Sequence, residues 1–258
     1  MSISKYGDFT GLAENYSKFR PGYSLDVLNK ILKSVGKPVV EIDFADVGAG
    51  TGIWTRMIAG EGVSTAVAIE PNDDMRKNGI NDSKRSKIIW KKGGGENTTL
   101  DSSSLDLVTM ASSFHWVDFD KATKEFHRIL RNDGVFVALW NPRKIEENPL
   151  LVEIEEKLYE MAPHIQRKSS GRSSFTSTLE QKLNESDFFR DVEYVESIDI
   201  VKQSIDHYLG IWWSVNDIRV QVGEVIFSDW MSWVESKIKG LEYVETTYLT
   251  RAWIAYKA

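Results

Sequence analysis

The run Ile42-Asp-Phe-Ala-Asp-Val47 stops abruptly at Gly48-Ala-Gly50-Thr-Gly52, and a helical spacing of apolar residues takes over through Ile58. Few folds accommodate a strand that turns into a helix through three glycines in five residues. The glycines permit the sharp turn, and they let a ligand approach the backbone at the carboxyl end of the strand. The spacing is G-x-G-x-G. A dinucleotide fingerprint needs glycine where Ile53 stands, so the pattern disfavours NAD. Glu70 ends the next apolar run, 20 residues after Gly50, where a carboxylate accepts hydrogen bonds from ribose hydroxyls. Loop and carboxylate together predict a nucleotide-like cofactor.

The alternation continues along the chain. Strands are expected at 42–47, 65–70, 87–90, 105–110 and 134–140, with helices from Ser24 to Gly36, after Gly52, around Asp73 to Lys77, and from Phe119 to Leu130. Strands separated by helices mean βαβ units and a largely parallel sheet covered on both faces. Longer helical segments follow near Pro149 to Met161, Thr178 to Ser186, Ile205 to Trp213 and Ile218 to Lys239, with a Ser-rich link at 168–177 expected to be a loop. The stretches Val192 to Val201 and Glu242 to Tyr256 read as an antiparallel pair closing the sheet edge. The fold class is therefore α/β, a doubly wound Rossmann-like, mostly parallel sheet with an antiparallel edge strand and helical insertions on the ligand side.

Composition narrows the chemistry. The 258 residues carry a formal net charge of -6, which disfavours a nucleic-acid sleeve, and 41% are hydrophobic, enough for one large domain. There are no cysteines, so disulfides, thiolate catalysis and cysteine-ligated metals are excluded, and no metal site is expected. The start, MSISKYGDFTG, lacks an apolar signal core, and no stretch approaches a membrane span. The expectation is a cytoplasmic protein that acts on a small molecule, with no nucleic-acid or membrane partner and an oligomeric state that the sequence leaves open.

Ordered motifs carry a resemblance over about residues 6 to 141. They are Tyr16-Ser-Lys-Phe-Arg-Pro-Gly-Tyr23, Asp46 to Gly52, Glu70-Pro-Asn-Asp-Asp-Met75, Gly93-Gly-Gly-Glu96, Ser113-Phe-His-Trp-Val-Asp118, and Arg128-Ile-Leu-Arg-Asn-Asp-Gly134 leading to Trp140-Asn141. In these the chain resembles the class I S-adenosylmethionine-dependent methyltransferases, in particular the small-molecule branch similar to trans-aconitate methyltransferase. The resemblance implies S-adenosyl-L-methionine as cofactor. It implies Gly48, Gly50 and Gly52 beside the methionine portion with Asp46 near its amino group, Glu70 on the ribose, and Pro71 and Met75 around the adenine. Gly95 and Glu96 would lie at the adenine edge and Ser113 near the transferable methyl. Gly95 departs from the alanine common at that position.

Phe114-His115-Trp116 follows the fourth strand, where ligands of open α/β sheets bind. Imidazole titrates near neutrality, so His115 is the candidate catalytic base for a hydroxyl acceptor, against the plainer alternative that it packs and hydrogen-bonds beside the cofactor. A carboxylate acceptor needs cationic clamps instead, and Arg20 and Arg143 are the candidates. Tyr16 and Trp116 join them as expected acceptor-binding residues.

His127, His164 and His207 are expected to be structural or without role. Of nine tryptophans, Trp230 and Trp233 are expected in the core, and one of Trp212 and Trp213 in a pocket wall or an interface. The expected organisation is a single domain over 1–258, with a cofactor core at 24–141, an aromatic N-terminal lid at 6–23, and acceptor-side helices and sheet edge at 142–258. Oxygen methylation of a small molecule is the first reading. A cofactor-binding partner subunit without catalysis is the second, and a nicotinamide-dependent oxidoreductase, lacking its Tyr-x-x-x-Lys dyad, the third.

Overall fold

The computed structural model describes residues 11–166 and 174–258. Two helices, α1 (Ala13–Phe19) and α2 (Leu25–Ser34), precede the strands β1 (Asp43–Val47), β2 (Thr65–Ile69), β3 (Ile88–Lys91), β4 (Leu105–Ala111) and β5 (Leu130–Trp140). The connections run through α3 (Ile53–Gly60), α4 (Asp73–Asp82) and α5 (Phe119–Ile129), and all five strands are parallel, as βαβ crossovers require. Beyond them lie α6 (Pro149–Met161), the short α7 (Ser174–Ser177), α8 (Leu179–Asn184), β6 (Phe189–Gln203), α9 (Ile205–Trp213), α10 (Asn216–Ile238) and β7 (Val244–Lys257). The sheet order is β3-β2-β1-β4-β5-β7-β6. Only β7 runs against the rest, pairing with β5 on one side and β6 on the other.

Burial follows from this order. β4 and β5 read as nearly continuous apolar runs because both their faces are covered. One face packs on α2 and α3 through Leu28, Ile31, Trp54 and Ile58, and the other on α5 and α8 through Phe126, Ile129 and Leu183. A third apolar cluster, around Leu158, Tyr208, Trp212, Phe227 and Trp230, joins α6, α9 and α10 above the carboxyl edge of the sheet. Caps fix where the helices begin. Asn72 accepts from Asp74 N and Met75 N at 3.0 Å each, Asp118 from Lys121 N at 3.1 Å, and Asn148 from Leu150 N at 3.0 Å just before Pro149.

Strands and longer helices fall within a few residues of the expected places, and the antiparallel pair closes the edge with α9 and α10 between its strands. Three local expectations are corrected. The N-terminal segment contains α1, whose seven residues are too few to display a period. Helix α4 runs to Asp82 rather than Lys77; Gly79 lies inside it because the Trp90 ring packs there, 2.1 Å from where a Cβ would stand. Helix α10 is broken at Gly223, whose φ of 77° and ψ of 168° only glycine adopts readily. Of the expected 168–177 loop, 168–173 lie outside the described residues and Ser174–Ser177 form α7. No described helix is long and apolar enough to cross a membrane.

Candidate active site

A cavity of about 1120 Å³ opens over the carboxyl ends of β1 to β5, and the segment after each of these strands lines it. The loop after β1 is held by its neighbour: Gly48 N and Ala49 N both donate to Ile69 O, at 2.8 and 3.0 Å. Gly48 and Gly50 have φ of 69° and 59°, the left-handed region that side chains make costly. A Cβ at Gly48 would fall 2.7 Å from Ser113. At Gly50 the nearest atom would be the Met75 methyl at 3.4 Å, so the space above Gly50 is cavity, open to a ligand lying on the backbone.

Glu70 directly follows β2, 6% exposed, with one carboxylate oxygen accepting from Gly50 N at 2.7 Å and the other from Asn72 N at 2.8 Å. Burial raises its pKa, and the two backbone N–H groups oppose the shift. Glu70 therefore fixes the glycine loop, and each oxygen keeps a lone pair for a ligand. Pro71, Met75, Gly95 and Glu96 line the same end. A Cβ at Gly95 would stand 2.8 Å from Val117, which accounts for glycine where the resembling family has alanine. Glu96 accepts from Asp118 N at 3.0 Å, and Ser113 donates to Val47 O at 3.1 Å.

Two expected cofactor residues stand behind the cavity. Asp46 is fully buried and accepts from Thr55 Oγ1 at 2.6 Å and Thr109 Oγ1 at 3.1 Å, so it braces β1 against α3 and β4. Burial pushes its carboxyl up to about 7 despite the two threonines, and the nearby Glu70 adds to the rise. Gly52 starts α3 against Trp90, 2.8 Å from where its Cβ would be. Its φ of 77° serves the turn, not a ligand surface.

Tyr16, Arg20, His115, Trp116 and Arg143 line the same cavity. Arg20 Nε donates to Ser214 Oγ at 2.9 Å, and its guanidinium lies 5.1 Å from the Tyr16 ring centroid. Arg143 stacks 4.0 Å over Trp212 and reaches to 3.7 Å of Glu155. Neither Trp212 nor Trp213 lines the cavity; Trp212 supports Arg143, and Trp213 packs edge-on against Phe227. Trp230 is buried in the third cluster, as expected.

The His115 expectation changes. Its Nδ1 accepts from Trp140 Nε1 at 3.3 Å, and an indole N–H only donates, so the proton of the neutral ring sits on Nε2. Nε2 is buried without a protein partner among the described residues, and burial alone drives the ring pKa down to about 4. Neither nitrogen stands ready to take a proton, so the geometry does not make His115 a general base.

Sequence reasoning missed Glu155, Asp217 and Tyr248 on the far wall, and Tyr23 and Ser112 on the near one. Glu155 had a signal: a charge one turn from Leu151 and Leu158, on the buried side of α6. Tyr248 and Asp217 had none, because they enter from distant elements.

Comparison with known proteins follows the same division. Residues 45–138 match the family described as the methyltransferase domain. An uncharacterized methyltransferase of Mycobacterium tuberculosis is 31% identical over 143 residues, 55% of this chain and 54% of that protein. The match thus spans about half the length of such curated relatives. Among solved structures, a candidate type II methyltransferase from Anaeromyxobacter dehalogenans superposes with a TM-score of 0.66 at 19% identity, over 92% of this chain and 97% of that one. The Haemonchus contortus phosphoethanolamine N-methyltransferase 2, solved with phosphomonomethylethanolamine and S-adenosylhomocysteine, gives 0.54 at 13% identity, over 99% of this chain and 60% of that one. At these identities the structures establish the fold.

Proposed function

We propose that this chain carries a methyltransferase domain of the class I S-adenosylmethionine-dependent type and transfers a methyl group from S-adenosyl-L-methionine to an oxygen of a small molecule, a reading that the match to the methyltransferase domain supports. The observation that carries this reading is the single cavity in which a backbone-lined end, at Gly48, Gly50 and Glu70, faces an end with two arginines. The open space over Gly50 and the free lone pairs of Glu70 fit the cofactor. Gly48 and Gly50 would hold its methionine portion and Glu70 its ribose. Pro71, Met75, Gly95 and Glu96 would hold its adenine, with Ser113 toward the reacting end.

The bound cofactor supplies an electrophilic methyl on a sulfonium. The protein's task is to align an acceptor with it and exclude water. Arg20 and Arg143 orient an anionic oxygen, while Tyr16 and Trp116 wall the reacting space. His115, neutral and tied to Trp140, favours an acceptor that needs no base. A carboxylate, ionised at neutral pH, is therefore preferred over an alcohol, in keeping with the resemblance to the trans-aconitate branch.

Of the expected lid at 6–23, residues 6–10 lie outside the described residues, and residues 11–23 would close over this space. They are held to α4 by Gly11 N to Asp74 at 2.9 Å and by Ser17 to Asp82, and to α9 by the Phe19 ring at 5.6 Å from His207. The core 24–141 and the acceptor side 142–258 complete one domain around the cavity. Labelled-methyl transfer to a panel of carboxylates and sugars tests the reading. Label entering carboxylates without a sugar requirement is expected. Label entering only hydroxyl acceptors, with a rate that rises through a basic group's titration, overturns the acceptor assignment.

A further inference from the structure

The two outer edges of the sheet differ in how they are guarded. At one, β3 is four residues long and has Lys87, Lys91 and Lys92 in or beside it, the short and charged form in which an edge resists further pairing. At the other, β6 runs for 15 residues without proline or glycine. Its bulge, between Arg190 and Glu193, leaves residues 193–203 as a regular run that pairs with β7 on one side and with no strand on the other among the described residues. At about 3.4 Å per residue this open edge is roughly 35 Å long. None of its residues lines the cavity.

Side chains alternate between the two faces along this run. Tyr194 packs against Trp253 with ring centroids 5.0 Å apart, while Val195 joins the cluster under α2, so Tyr194, Glu196, Ile198, Ile200 and Lys202 share the face away from α2. Ile198 and Ile200 are 50% and 63% exposed there. Both charges of this face are held in place, since Tyr194 donates to Glu196 and Lys202 lies 4.3 Å from the Tyr243 ring centroid. We infer that this edge is the docking surface for a second copy of the chain, with the two β6 strands paired antiparallel about a twofold axis through Ile198. Ile198 is the midpoint of the regular run, so this register pairs the run from end to end. A twofold axis perpendicular to the sheet keeps each face on its own side, and residues meet others of the same face. Ile198 then meets its own copy, with Ile200 of each chain on the diagonal. Lys202 lies across from the partner's Tyr194 and diagonal to the partner's Glu196, a cation between a ring and a carboxylate, and symmetry repeats the arrangement. On the opposite face Asp199 meets the partner's Ser197, and Glu193 the partner's Gln203, so each carboxylate has a hydrogen-bond donor. Neighbouring registers are worse. Centring on Glu196 or Asp199 sets a carboxylate against itself, centring on Ser197 sets Asp199 against Val195, and centring on Ile200 sets Lys202 against Ile198.

The chain has no cysteine, so a single introduced cysteine reports on one position. Sedimentation of the full chain at micromolar concentration is expected to give twice the 29.4 kDa of one copy. Ile198→Asp places two carboxylates at the axis from a half-exposed position, and should raise the dimer dissociation constant about tenfold or more with circular dichroism unchanged. Ile198→Cys should cross-link to its copy under mild oxidation, because residues directly opposite in an antiparallel pair bring their Cα atoms to about 4.5–5.5 Å. Ile89→Cys, equally exposed on β3, should not. A wild-type chain that sediments as a monomer at micromolar concentration overturns the inference. So does a dimer that Ile198→Asp leaves intact, or an Ile198→Cys protein that cross-links no faster than Ile89→Cys. If Ile198→Asp loses the fold, the two cysteine variants decide the matter.

Discussion

Between β1 and β2 the cavity wall is backbone: Gly48, Ala49 and Gly50 are pinned to the Ile69 carbonyl and the Glu70 carboxylate, and every one of these groups comes from within 23 residues of chain. Beyond β5 the wall is side chains, with Arg20, Glu155, Asp217 and Tyr248 arriving from α1, α6, α10 and β7 or their flanks. The first end presents open space above Gly50 and the remaining lone pairs of Glu70, which suit a ligand of constant chemistry. The second presents charges and rings balanced against each other, Arg143 between Trp212 and Glu155, so replacing one member retunes what it binds. A methyltransferase needs this asymmetry, because its cofactor is fixed and its acceptor is what distinguishes it.

The strongest way to break the comparison is Gly48→Val. The branched side chain meets Ser113 in a backbone region valine avoids, and a cost of roughly 3 kcal/mol should lower cofactor affinity about 100-fold or more with the circular dichroism of the fold retained. Next comes the buried support of the backbone end. The folded Asp46 pKa is raised above its unfolded value, so this group's contribution to stability is complete below about pH 4 and is lost as the pH rises through about 7. His115 works oppositely: depressed to about 4, it contributes fully above about pH 6.5 and loses that contribution as the pH falls. Denaturant unfolding of Asp46→Asn against wild type from pH 4 to 8 should show the difference moving in the variant's favour by up to about 4 kcal/mol, and a flat difference would remove Asp46 as a titrating brace.

Glu70→Ala follows. It removes the anchor of Gly50 N and, on the proposed reading, a cofactor contact as well, so a loss of about 1.5–3 kcal/mol in cofactor affinity is expected by calorimetry in a folded protein. Arg143→Lys is smallest. Charge is kept while planar stacking on Trp212 is lost, so kcat/KM should fall about tenfold through KM, with cofactor affinity unchanged. An equal loss of cofactor affinity there would erase the distinction between the two ends.

The same asymmetry decided what could be read from the sequence. The strand, glycine loop and carboxylate at 42–70 are contiguous, and each leaves a pattern of its own, so the parallel character of the sheet and this end of the cavity were legible. Side-chain direction was not: Asp46 alternates into the interior beside Thr109, and Gly52 serves Trp90 from β3, facts set by packing across strands. His115 was legible as a cavity residue, but its tautomer depends on Trp140, 25 residues away. At the acceptor end only Arg20, Arg143, Tyr16 and Trp116 carried a motif; Asp217 and Tyr248 meet them solely because α10 and β7 return over the sheet edge.

If the backbone end binds S-adenosylmethionine independently of the acceptor end, calorimetric titration of wild type, Gly48→Val and Arg143→Lys with that one ligand separates the two ends. Saturable binding at one site per chain, abolished by Gly48→Val and untouched by Arg143→Lys, is the predicted result. Binding that survives Gly48→Val, or that falls equally in both variants, would contradict it.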